Sequence, residues 1–411
     1  MFWIFFVLLI FTTGDCILID QITSSSSTTS LSSSTTSSSS STSSSSTSTS
    51  TSSTTSSSSS TTSSSSSTSS SSTTTAAAPG WAITGGITTV RHEHTASTLA
   101  NGSVLVTGGW NNSDSLNSAE LYNPSIGIWT ITGSMSFARS YHTASTLANG
   151  LVFVAGGYNG SSFLNSAEMY NPSTGTWTIT ESMNDARYGH TASTLANGYV
   201  LVAGGYSNAG CLNTAELYNP STGILTYIGS MNIARYFHTA STLANGSVLV
   251  VGGYNGSIYL NSAELYNPST GIWTYTGSMT IARYFHTAST LANGLVLVTG
   301  GHSSTSYLNS AELYNPSTGI WTTTANMSTA RFEHTASILA NGSVLVAGGY
   351  SGASDLNSAE LYNPSTGTWA ATRNMSFARE EHTVSILANG KVLVTGGWDN
   401  DYGPINSAVL Y

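Results

Sequence analysis

"RSYHTASTLANGLVFVAGGYNGSSFLNSAEMYNPSTGTW", residues 139–177, is one pass through the unit from which everything after residue 80 is built. Fixed landmarks count the copies. His94, His142, His190, His238, His286, His334 and His382 stand 48 residues apart, as do the Gly-Gly pairs from Gly108-Gly109 to Gly396-Gly397. Tyr122, Tyr170, Tyr218, Tyr266, Tyr314 and Tyr362 keep the same step, and Tyr411 comes one residue late. A fourth series starts earlier, with Trp81, Trp129, Trp177, Leu225, Trp273, Trp321 and Trp369. Self-similarity at a period of this length signals a repeat architecture and decides the fold before any single residue does.

Turn chemistry divides each unit into four short strands. In residues 142–177, a β-branched stretch runs from His142 to Leu147 and meets Asn149-Gly150, a dipeptide that tolerates the left-handed backbone of a tight hairpin. The apolar run from Leu151 to Ala155 reads as a strand covered on both faces. Gly156-Gly157 ends it. A variable loop follows, then a third strand over residues 167–170, the turn Asn171-Pro172-Ser173-Thr174-Gly175, and a fourth strand near Trp177. No long helical periodicity is present.

Four antiparallel strands per unit, repeated seven times, predict an all-β, seven-bladed β-propeller whose blades bury their faces only against each other. An open stack would need end repeats with a polar outer face, and neither end has one. The sequence enters with a lone fourth strand at Trp81 and stops after a third at Tyr411. Those two partial units sum to one blade, so the Trp81 strand is expected to become the outer strand of blade seven and close the ring.

Arg-x-x-His, an apolar strand ending in Gly-Gly, then Tyr and Trp on the next two strands, resembles the kelch motif, in seven copies over residues 80–411. The departures are small: Leu225 replaces one Trp, Val409 replaces the Glu of the other six copies, and the last unit carries one extra loop residue. The motif Arg is expected to pair with the motif Glu, within a blade or between neighbours, because a buried charge needs a partner. Val409 then leaves Arg379 without one.

Charged residues make up 7% of the chain, and seven of its nine basic residues are the motif Arg. With a net charge of -9 and no basic cluster, nucleic acid is excluded as a partner class. Residues 1–19 hold an apolar run of signal length, read as a secretory signal or, alternatively, an uncleaved membrane anchor. Residues 20–79 are almost entirely Ser and Thr, have too little to bury to repay ordering, and resemble a mucin-like disordered stalk. A secreted location is expected, or tethering at the cell surface if the anchor is retained. Sequons at Asn101, Asn111, Asn159, Asn245, Asn255, Asn326, Asn341 and Asn374 would then be glycosylation candidates. With Cys211 the one cysteine of the propeller, no disulfide framework is expected.

A residue needed identically in every blade is best explained by blade packing, so recognition is sought where units differ. By resemblance to kelch propellers, two variable positions open on one face. After Gly-Gly come Trp110, Tyr158, Tyr206, Tyr254, His302, Tyr350 and Trp398; after the motif Arg, the second residues include Glu93, Tyr141, Phe237, Phe285, Glu333 and Glu381. Aromatic rings with few charges suit a protein interface, where Tyr and Trp act as anchors, or a glycan stacked on their faces. Copper radical oxidases share the kelch-type propeller, but need a Cys-linked Tyr, a second Tyr and two His, for which no motif is visible here. The His series has no local metal-ligand spacing. A non-enzymatic binding module with neither metal nor cofactor is therefore the leading expectation; a lectin-like propeller is the alternative, and a rigid spacer the third reading.

Overall fold

The computed structural model describes residues 80–411, so the expected signal and stalk lie outside the described residues. All regular structure in these residues is β-strand, arranged as seven four-stranded antiparallel sheets with two small hairpins. Blade two consists of Thr143–Thr146, Val152–Ala155, Ala167–Asn171 and Thr176–Ile179, in that order from the axis outward. Asn149 and Gly150 make the first hairpin as expected: Gly150 adopts φ 83° and the Asn149 carboxamide oxygen accepts the Leu151 N–H at 3.1 Å. Val152–Ala155 is buried along its whole length, which is why its side chains do not alternate in polarity.

The cores lie between blades. Leu99, Leu105, Ala119 and Met135 of blade one pack with Val152, Val154 and Tyr170 of blade two, and the same grouping recurs around the ring. Polar contacts reinforce each joint. The Nε2 of every motif His meets a threonine hydroxyl of the preceding blade at 2.8–3.0 Å, seven times, with His94 and Thr383 completing the circuit. Trp129, Trp177, Trp321 and Trp369 donate their indole N–H to a carbonyl of the preceding blade.

Ring closure follows the expected route. Ala82–Thr84 pairs antiparallel with Ala408–Leu410 as the outermost strand of blade seven. Trp81 packs on Tyr411 with ring centroids 5.0 Å apart, the separation of Tyr122 and Trp129 within blade one. The extra residue of the last unit is absorbed in the loop, where Trp398–Asp399 pairs with Gly403–Pro404, so Val394 still faces Val409 as Val106 faces Glu120.

Six of the seven motif arginines hold the motif Glu of their own blade. Arg139 Nη2 donates to Glu168 Oε1 at 2.9 Å with both side chains fully buried, while Nη1 donates to the Gly156 and Ser166 carbonyls. Glu168 also accepts the backbone N–H groups of Ser136 and Phe137, so one carboxylate ties the incoming chain to the sheet. Arg379 has no carboxylate partner and donates to Gly396 and Ser407; burial lowers its pKa to about 10, with the Asp399 charge opposing. Glu168→Ala strands a buried guanidinium and two amides, and should cost about 3–5 kcal/mol, read as a lower urea midpoint. Val409→Glu, at a fully buried position beside Arg379, should raise that midpoint.

Candidate functional site

Each blade sends two segments to one face, and the glycine pair sets how they meet. Gly156 and Gly157 adopt φ of 65° and 97°, and a Cβ on Gly157 would fall 2.5 Å from the Ser140 carbonyl oxygen, so only glycine fits. The following residue then bridges to the first residue after the motif Arg: Trp110 to His92, Tyr158 to Ser140, Tyr206 to Tyr188, Tyr254 to Tyr236, His302 to Tyr284, Tyr350 to Phe332 and Trp398 to Glu380. Both variable positions therefore share a face, as expected.

The second residues after Arg do something else. Glu93, Tyr141, Gly189, Phe237, Phe285, Glu333 and Glu381 all take left-handed φ of 49–60°. Each donates its backbone N–H to the corresponding carbonyl of the preceding blade, at 2.8–3.4 Å, and Glu93 to Glu381 closes a belt of seven bonds around the axis. Left-handed backbone costs a non-glycine residue about 1–2 kcal/mol; the belt supplies the opposing interactions. The side chains meet across it: Phe237 stacks on Phe285 at 3.8 Å, Tyr141 lies edge-on to Phe237 at 5.2 Å, and the Tyr141 hydroxyl donates to Glu381 Oε1 at 2.6 Å. These residues were expected on an open rim. They sit half-buried as a plug on the axis.

The aromatic surface is carried by the first residues after Arg, by the residues after Gly-Gly, and by a third set that sequence reading missed. Phe163, Tyr259 and Tyr307 stand five residues beyond Tyr158, Tyr254 and His302 and bridge back to them. Phe163 stacks on Tyr188 at 5.0 Å, and ring contacts continue through Tyr206, Tyr236, Tyr254, Tyr259, Tyr284, His302, Tyr307 and Tyr350. The result is an arc of partly exposed rings over blades two to six.

Acids occupy the pole where blades six, seven and one meet. Burial and the Glu381 charge push Glu93 up to about 8, burial and neighbouring carboxylates push Glu380 up to about 9, and Glu333 lies well above the usual carboxylate range for the same reasons. His92, which burial alone would lower, is raised by its hydrogen bond to Glu381. Trp398 lies 5.2 Å from the His92 ring, and its indole N–H donates to Asn400.

Remaining candidates fall elsewhere. The motif His rings are held in the blade joints. Asn101, Asn245 and Asn341 lie exposed in the first hairpin turns, Asn326 and Asn374 are exposed after outer strands, and Asn111, Asn159 and Asn255 are half-buried loop residues whose carboxamides accept backbone N–H groups. Cys211 is half-buried and is the cross-strand neighbour of Tyr206. The two His outside the motif, His92 and His302, stand on blades one and five, so no pair of imidazoles accompanies that Tyr-Cys neighbourhood on blade three. The residues do not fit a radical-copper centre.

Residues 94–276 match the KLHDC2/KLHL20/DRC7 Kelch-repeats domain, and residues 283–328 and 333–376 match the Kelch motif, together well over half of the chain. No curated protein matches in sequence. Among solved structures, a fungal alcohol oxidase of the AA5 family in complex with copper superposes with a TM-score of 0.67 at 18% identity, covering 80% of this chain and 75% of its own. That likeness concerns the fold, on which unrelated activities are built. With repeat matches running through blades one to six of a closed seven-bladed ring, the chain belongs to the kelch-repeat family and its described residues form a kelch propeller.

Proposed function

We propose that this protein is a non-enzymatic extracellular binding module that captures a protein partner on the loop face of its propeller. The observation that carries the reading is the continuous arc of partly exposed aromatic rings, flanked by Trp110 and Trp398 near the acidic pole. Rigid rings held by their neighbours lose little conformational freedom on binding, which makes them efficient anchors. Kelch propellers typically serve in protein interaction. The extracellular part of the proposal rests on the signal-like and stalk-like composition of residues 1–79.

The test is affinity capture with cross-linking from the extracellular fraction, comparing the native protein with the double variant Trp110→Ala, Trp398→Ala. Loss of two anchors should weaken capture by about 30-fold or more. Thermal unfolding should not move, because neither indole belongs to a blade core. Unchanged capture would reject the rim, and selective binding on a glycan array would move the reading to the lectin-like alternative.

A further inference from the structure

Ring closure brings together donor groups from opposite ends of the propeller sequence. His92 Nδ1 lies 2.5 Å from Glu381 Oε2 and 3.6 Å from Glu93 Oε1. One donor atom from each of the three residues falls within 4.8 Å of the others. Ligands bound at about 2.0–2.2 Å around a divalent ion stand roughly 3–4 Å apart, so small side-chain shifts would let these atoms share one ion. We propose that His92, Glu93 and Glu381 form a binding site for a divalent transition-metal ion of the zinc or manganese class.

Charge and burial both support a cation here. Two carboxylates face one imidazole, with Glu333 next to Glu381 in the same backbone belt. Among the described residues no Lys or Arg pairs with them: the motif arginines are engaged in their own blades, Arg373 lies against Gly80 and Trp81, and Lys391 sits in a hairpin turn on the other face. The His92 side chain is only 9% exposed and its Nδ1 is turned to the two carboxylates, so the imidazole donor is held with them away from bulk solvent.

The surroundings suit a metal ligand set. The Tyr141 hydroxyl binds Glu381 Oε1, which orients that carboxylate and leaves Oε2 turned to His92, as an outer-shell partner does. Both glutamates are 14% exposed, so water can reach the ion and fill its remaining positions. Imidazole with carboxylates favours Zn2+ or Mn2+ over Ca2+ or Mg2+. Because His92 and Glu93 belong to blade one and Glu381 to blade seven, the ion would staple the closing joint and stabilise the folded ring alone. Local spacing could not reveal the site, since His92 and Glu381 are 289 residues apart.

The full-length protein, stripped with EDTA and dialysed, should be titrated with ZnCl2 and with MnCl2 by calorimetry and melted with and without saturating metal. One equivalent should bind and the melting temperature should rise. His92→Gln and Glu381→Gln should each weaken binding at least about tenfold, while Glu181→Gln, an exposed carboxylate elsewhere, should not. Metal-free melts show whether the variants fold. No binding by the native protein would overturn the proposal, leaving a proton-sharing cluster; so would equal affinity in both site variants.

Discussion

A chain lacking residues 80–87 should fail to fold as a monomer, whereas Trp81→Ala should fold with stability lowered by about 3 kcal/mol. The deletion removes the three-residue ladder to Ala408–Leu410, the Trp81 indole on Tyr411, its N–H bond to the Arg373 carbonyl at 2.7 Å, and Ile87, which is 1% exposed in the core between blades seven and one. Losing one partly buried indole and one buried isoleucine already costs on the order of 5 kcal/mol, comparable with the total stability of many domains. The deletion also bares the edge of Ala408–Leu410, which can pair with a second molecule. Size-exclusion chromatography and urea unfolding distinguish the outcomes. An unchanged midpoint and a monomeric profile for the deletion would mean that the ring holds without its closing strand.

That closure was readable because the Trp81 and Tyr411 fragments are complementary in strand number, and the Arg–Glu pairing, with its exception at Arg379, was readable because the one missing Glu breaks a strict register. The plug was not readable. Its seven positions hold Glu, Tyr, Gly, Phe, Phe, Glu and Glu, so composition carries no common signal; the conformation is imposed by the belt of backbone bonds, and Gly189 alone hints at left-handed backbone. Phe163, Tyr259 and Tyr307 were visible as aromatics in a variable loop, but Ser115, Cys211 and Asp355 occupy the same bridge position and hid the pattern. The meeting of His92 with Glu381 needed the ring to be closed first. Local chemistry gives strands and their joints; the contents of the axis depend on which blades face each other across it.

Acidification should unfold this propeller over a narrow range, because seven imidazoles are held neutral in its joints. Burial lowers the pKa of each motif His, and with the adjacent Arg charges brings it to about 3 for His190, beside Arg187 and Arg139, and for His334, beside Arg331 and Arg283. His94, His142, His238, His286 and His382 lie well below the usual value for the same leading cause. The unfolded chain takes these protons as pH falls through about 6.5, while the folded chain refuses them. Stability from this source is therefore complete above that pH and lost below it. Each such group costs up to about 1.4 kcal/mol per pH unit, so seven together approach about 10 kcal/mol per unit once pH is well below 6.5. The plug carboxylates lean the other way, since Glu93 and Glu380, raised by burial and by like charges, keep protons in the folded state that the unfolded chain releases above about 4.5. They blunt the acid limb and erode stability toward alkaline pH, which places the optimum near neutrality. The measurement is proton uptake on unfolding near pH 5.5, from the slope of unfolding free energy against pH. Several protons per molecule are expected; uptake of fewer than one would show that the joints tolerate imidazolium, and that the His–Thr contacts do not require a neutral ring.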